Sequence, residues 1–189
     1  MLVLEVGFKL DKDLNYYDKV LREHGLINVF NCTTHDIYYA NENLDGLTEN
    51  EMKQKCIRLR NVNNDTFYKI QNCPFKNYSN NIHKNELVDF EKYLLVRGYK
   101  KTLDTIKNDH HYSKDGMNSR VQLQEIDNVG LLVYFDNKDY YDLQFDEQRR
   151  KLIDELNSYG FNFNYETLGL DKLRTLYYKK EMFSSNQNG

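Results

Sequence analysis

The chain has 189 residues, which suits one domain with a sizeable core, and its 40% hydrophobic and 29% charged residues mark a chain that folds and stays in solution. A formal net charge of -3 argues against a general nucleic-acid or membrane-surface binder, so an anion site has to come from local arrangement. Cys32, Cys56 and Cys73 are odd in number and lack C-x-x-C spacing, which suits reduced thiols and a cytoplasmic location. Charges at Glu5 and Lys9 interrupt the first apolar residues before a signal peptide could form, and no apolar run is long enough to span a membrane.

In chain order, Leu4–Leu10 alternates, with Leu4, Val6, Phe8 and Leu10 on one face and Glu5, Gly7 and Lys9 on the other. Period-2 alternation predicts a half-buried strand. A capped helix is expected over Asp13–His24, with Leu14, Tyr17, Val20 and Leu21 on one face and Gly25 as its stop. Strand His35–Asn41 and a turn-rich stretch at Asn43–Asn50 follow. Ile57-Arg58-Leu59-Arg60 alternates again, and Thr66–Gln71 reads as another strand before Pro74 opens a polar loop through Asn81. Glu86–Arg97 is a predicted helix, with Leu87, Phe90, Leu94 and Leu95 inward and Gly98 beyond its end. Strands are expected at Leu103–Tyr112, Ser119–Ile126 and Leu131–Asn137, turned by Lys114-Asp115-Gly116 and Asp127-Asn128. Helices over Glu147–Ser158, stopped by Gly160, and over roughly Asp171–Lys180 complete a single domain of residues 1–182. Residues 183–189 read as a frayed tail. Strands that outnumber helices and join through hairpins predict an α+β fold with a mostly antiparallel sheet. Closure of that sheet into a β-barrel would turn its polar faces into a lumen.

The polar strand faces carry Glu5, Lys9, Arg58, Arg60, Lys69, Lys107, Asp109, Arg120, Gln122, Gln124, Tyr134 and Asp136. Arg58 and Arg60 stand two apart on one strand and project in parallel, about 7 Å from each other. That spacing suits neighbouring phosphates, each able to take a bidentate guanidinium contact. Carboxylates opposite would suit a hard divalent cation. The plainer alternative is a set of solvated strand faces with loose ion pairs of little energy. His110 and His111 are adjacent on a strand and face opposite ways, so they cannot chelate one metal together.

The order of these residues resembles the CYTH superfamily, which holds class IV adenylyl cyclases, thiamine triphosphatases and inorganic triphosphatases. Glu5-x-Gly7-x-Lys9 stands where family members open with Glu-x-Glu-x-Lys. His35-Asp36-Ile37-Tyr38-Tyr39, Arg58-x-Arg60, Lys69, Gly98-Tyr99 and the segment with Lys107, Asp109 and Tyr112 follow in family order. Leu123, Gln124, Ile126, Val129, Gly130, Leu132, Tyr134 and Asp136 then match, without a gap, the pattern Leu-Asp-x-Val-x-x-Leu-Gly-x-Phe-x-Glu-x-Glu. The resemblance implies an antiparallel β-barrel of the triphosphate-tunnel type with flanking helices. It also implies that Lys9, Arg58, Arg60, Lys69, Lys107 and Arg120 bind phosphates, and that Glu5 and Asp136 hold Mg²⁺ or Mn²⁺. Gly7, Gln124, Tyr134 and Asp109 depart from the pattern, so the metal side is depleted, with Asp109 as a substitute ligand to be tested.

The expected activity is binding, and metal-dependent hydrolysis or cyclisation, of a nucleotide, thiamine triphosphate or inorganic triphosphate. The alternative is a polyphosphate-binding module without catalysis, and a third reading is a structural β protein with no anion site. The expected partner is this small molecule, with no nucleic acid and no membrane. The oligomeric state is left open, a dimer included.

Overall fold

The computed structural model describes residues 6–78, 80–114, 118–127, 129–166 and 176–178. Among the described residues the main elements follow in the order β1 (Val6–Lys9), α1 (Leu14–Glu23), β2 (Ile27–Ala40), α2 (Glu49–Lys55), β3 (Ile57–Val62), β4 (Phe67–Gln71), β5 (Asn81–His83), α3 (Leu87–Val96), β6 (Lys100–Ser113), β7 (Ser119–Ile126), β8 (Gly130–Asn137) and α4 (Phe145–Ser158). The strands form one antiparallel sheet in the order β1-β8-β7-β6-β2-β3-β4-β5, with β1 and β5 at its two ends. The class is α+β, as the hairpin-linked alternation requires. No described helix is long and apolar enough to cross a membrane. The tail 183–189, the turn residues Asp115, Gly116 and Asn128, and most of the expected last helix lie outside the described residues.

The chain gathers into two compact units, one from residues 6–32 and 108–166, the other from residues 33–107 with 176–178. In the first, β1 pairs with β8 and β8 with β7. Val6, Phe8, Val121, Leu123, Val133 and Phe135 line one face of these strands and are buried against Tyr17 and Leu21 of α1 and Leu152, Ile153 and Leu156 of α4. Helix α1 starts where the Asp13 side chain accepts the Tyr16 amide at 2.9 Å, which satisfies one of the donors a helix start leaves open. It ends at Gly25, whose φ of +80° suits the residue without a Cβ.

Gly160 is the tightest point of this packing. Its φ is +91°, and a Cβ there would sit 2.7 Å from Val20 Cγ1 and 3.1 Å from His24 Cε1. Gly160→Ala is therefore expected to lose about 1–3 kcal/mol in urea unfolding, from strain and overpacking together. A loss under about 0.5 kcal/mol, the size of an ordinary surface change, would mean that α1 and the end of α4 do not pack this closely.

In the second unit β2 pairs with β3, β3 with β4 and β4 with β5. Ile37, Tyr39, Ile57, Leu59, Tyr68 and Ile70 form its apolar face, closed by Phe90 and Leu94 of α3. Helix α2 begins in the last two residues of the turn-rich stretch Asn43–Asn50 and runs on through residues to which the sequence pattern assigns no element. Only Met52 is buried in it, so there is no apolar stripe to detect. It is held instead by a capping box, in which the Thr48 amide donates to Glu51 Oε2 at 2.8 Å and the Glu51 amide to Thr48 Oγ1 at 3.4 Å.

Candidate anion-binding site

The face of the second unit opposite its core carries the basic residues. Register sets two rows across three strands: Asp36, Arg60 and Lys69 in one, Tyr38, Arg58 and Gln71 in the next. Ile37, Leu59 and Ile70 go to the core, and the pleat therefore sends their neighbours to the other side. Arg58, Arg60 and Lys69 thus share one face, as their strand parity predicts.

The centre of that face is Asp36, a residue that motif reading treats only as part of a strand. It is fully buried. Its Oδ1 accepts from Arg60 Nε at 2.7 Å. Its Oδ2 accepts from Arg60 Nη2 at 2.7 Å, from Arg58 Nη2 at 2.9 Å and from Lys107 Nζ. Three of the sequence-predicted phosphate ligands therefore converge on one carboxylate. Such charge-assisted bonds are short and strong, and the Arg60 contact is the bidentate fork that matches a carboxylate.

The cations differ in access. The Lys107 side chain is 2% exposed, those of Arg58 and Arg60 are 21% and 34% exposed, and Lys69 is an exposed residue across from Arg60. Arg58 also donates through Nη1 to Gln71 Oε1 at 3.1 Å and lies over the Tyr38 ring at 5.6 Å. Its Nε is buried without a hydrogen-bond partner. Burial first, and then the Asp36 charge, push the Tyr38 phenol far above its ordinary value, so it stays neutral and adds no negative charge to the cluster. Three cations around one anion leave the cluster with a surplus of two positive charges, and Lys69 adds a third. A partly exposed, positively charged face whose arginines are held in place by a buried carboxylate suits an anion bearing several oxygens.

The remaining assigned residues belong to the first unit. Lys9 is exposed, opposite Leu132. Arg120 lies opposite Asp136 at 3.8 Å, with its side chain 54% exposed. An ion pair that open is worth little. Asp136 Oδ2 also accepts from Tyr141 Oη at 3.0 Å. Glu5 lies outside the described residues. Asp109 is buried, and its Oδ1 accepts from Gln122 Nε2 at 2.7 Å and from Gln124 Nε2, while Cys32 Sγ lies 3.8 Å from Oδ2. His110 lies 3.1 Å from Asn31 Oδ1 through Nδ1, whereas the His111 ring packs near Phe30 at 5.6 Å. Burial, and then Arg120, hold the His111 pKa below its ordinary value.

Among the described residues, no group of three or more His, Cys, Asp and Glu side chains could hold a metal ion. At the position that the resemblance gives to Mg²⁺ or Mn²⁺, the described carboxylate is Asp136, and it faces an arginine. Such ions take about six oxygen ligands, with carboxylates supplying the charge. One carboxylate beside a guanidinium does not meet that demand by itself, and its expected partner Glu5 lies outside the described residues. Gly7 has a steric partner: a Cβ on it would fall 2.5 Å from Tyr134 Cε1 and 2.8 Å from Cδ1. The Tyr134 ring thus occupies the space beside Gly7.

No family model matches the sequence, and no curated protein matches it. Solved structures do. The PH1012 protein of Pyrococcus horikoshii superposes with a TM-score of 0.56 at 14% identity, over 85% of this chain and 92% of that one. A conserved hypothetical protein of Pyrococcus furiosus gives 0.55 at 15% identity, over 84% and 90%. A looser likeness, 0.49 at 13% identity over 86% and 94%, is to a Vibrio parahaemolyticus protein described as a candidate adenylate cyclase. At such identities the two Pyrococcus proteins share this chain's fold, and the likeness says nothing of chemistry.

Proposed function

We propose that the protein binds a small molecule bearing a triphosphate, such as a nucleotide, thiamine triphosphate or inorganic triphosphate. Arg58, Arg60 and Lys69 are its phosphate-facing groups, and Lys107, buried on Asp36, adds its charge behind them. The observation that carries this reading is the convergence of two arginines and a lysine on one buried carboxylate, which fixes their donors in place beside an exposed Lys69. The ordered resemblance to the CYTH superfamily supports the same ligand class. Lys9 and Arg120 are proposed as further basic groups carried by the first unit.

Binding without turnover is the form of the proposal that the described residues favour. Hydrolysis or cyclisation through Mg²⁺ or Mn²⁺ calls for carboxylates, and the described residues offer Asp136 alone at that position. Turnover is thus a second proposal, which depends on Glu5.

Inorganic triphosphate is expected to raise the melting temperature. At 100 times its dissociation constant, a ligand of the native state adds about 2.7 kcal/mol. Arg58→Ala is expected to stay folded and to lose the shift. An equal shift in the variant would place the anion elsewhere, and no shift in the natural protein would remove the proposal.

A further inference from the structure

We propose that Asp36 is the built-in counter-anion of the phosphate site, a positioning residue that restricts the site to ligands with more than one phosphate. The inference rests on the phosphate-site reading above and adds the source of its selectivity. Asp36 engages two nitrogens of Arg60, one of Arg58 and the Lys107 ammonium, so it occupies donors that a phosphate would take. It is fully buried and cannot turn out into water. An incoming anion therefore competes with a carboxylate that is already paired, already dry and bound by four donors.

The charge balance decides which anions succeed. Arg58, Arg60 and Lys107 against Asp36 leave a surplus of two positive charges, and Lys69 in the same row as Asp36 and Arg60 makes it three. An orthophosphate dianion can meet part of this surplus, and it reaches only the donors that Asp36 leaves over. A triphosphate carries more charge than the surplus, and its length reaches along the row to Lys69. Neighbouring strands are about 4.8 Å apart, a span that linked phosphates bridge and a single phosphate does not. The carboxylate thus fixes the two guanidinium groups and at the same time sets a threshold of ligand charge below which binding is weak.

The test is calorimetric titration of the natural protein, Asp36→Asn and the double variant D36N/K107M with inorganic triphosphate and with orthophosphate. The double variant removes one charge of each sign and keeps the volume, so it remains measurable if D36N does not fold. The natural protein is expected to prefer triphosphate by at least about 100-fold, equivalent to two factors of ten in affinity. D36N raises the positive surplus by one and D36N/K107M leaves it unchanged, but both release the arginine donors that Asp36 holds, so each variant is expected to bind orthophosphate more tightly than the natural protein and to lose at least about tenfold of that preference. A purely structural Asp36 would instead leave both anions weaker in the variants. If the natural protein binds triphosphate and the variants leave orthophosphate unchanged or weaker, the role given to Asp36 is overturned alone. If the natural protein binds no triphosphate, the phosphate-site reading falls first.

Discussion

Asp36→Ala is expected to destabilise the protein by about 3–5 kcal/mol, the largest effect of any single change in the basic face. Removing a carboxylate from a buried cluster deletes four charge-assisted bonds and leaves like charges facing each other. Arg58, Arg60 and Lys107 would then stand together with Lys107 almost fully out of water. Domains are stable by only about 5–15 kcal/mol, so the variant would be close to the limit of folding. At roughly 2–4 °C per kcal/mol for a chain of this size, the melting temperature should fall by roughly 10 °C. Saturating triphosphate should return part of the loss, because the anion supplies the missing charge. A loss under about 1 kcal/mol in chemical unfolding would show that the cations are solvated and that Asp36 does not anchor them.

The second large effect concerns Gly7 and Tyr134. Gly7→Ala is expected to lose about 1–3 kcal/mol, because its Cβ overlaps a buried ring that has nowhere cheap to go. In a Tyr134→Ala background the same change should be nearly free, giving a coupling energy of about 1–2 kcal/mol in a double-mutant cycle. Additive costs would mean that the ring and the glycine are not matched. The paired change Gly7→Glu/Tyr134→Glu avoids the overlap and adds carboxylates near Asp136. It is expected to bind Mn²⁺ more tightly than the natural protein in calorimetry, since divalent ions follow the number of anionic oxygens. A folded pair that binds Mn²⁺ no better would show that carboxylates at these positions do not form a metal site with Asp136.

What the sequence makes legible follows from burial on one face. Ile57 and Leu59 alternate with Arg58 and Arg60, and the core contacts of the first pair fix the direction of the second. Helices α1, α3 and α4 announce themselves through stripes such as Leu152, Ile153 and Leu156 and through glycines past their ends. The first half of β2 does not, because Ile27, Val29 and Phe30 are all exposed and no alternation marks them. Asp36 was hidden for a different reason. One aspartate between His35 and Ile37 has no local pattern, and its importance comes from register, which sets it across from Arg60 at a distance of 24 residues in sequence. The signal was available in one form: Asp36 and Tyr38 alternate with the core residues Ile37 and Tyr39, so Asp36 had to lie on the basic face. Asp109 was legible as a departure from the family pattern, but its engagement by two glutamine amides depends on cross-strand neighbours that no spacing reveals.

The account stands on the basic face of the second unit taking up phosphate. The most direct measurement is a crystal structure of the protein grown with inorganic triphosphate. Phosphate oxygens are expected within hydrogen-bond distance of Arg58 and Arg60, with Lys69 on the next phosphate and Asp36 still in place behind them. Triphosphate bound away from Arg58 and Arg60, or an unchanged empty face at saturating triphosphate, would contradict it.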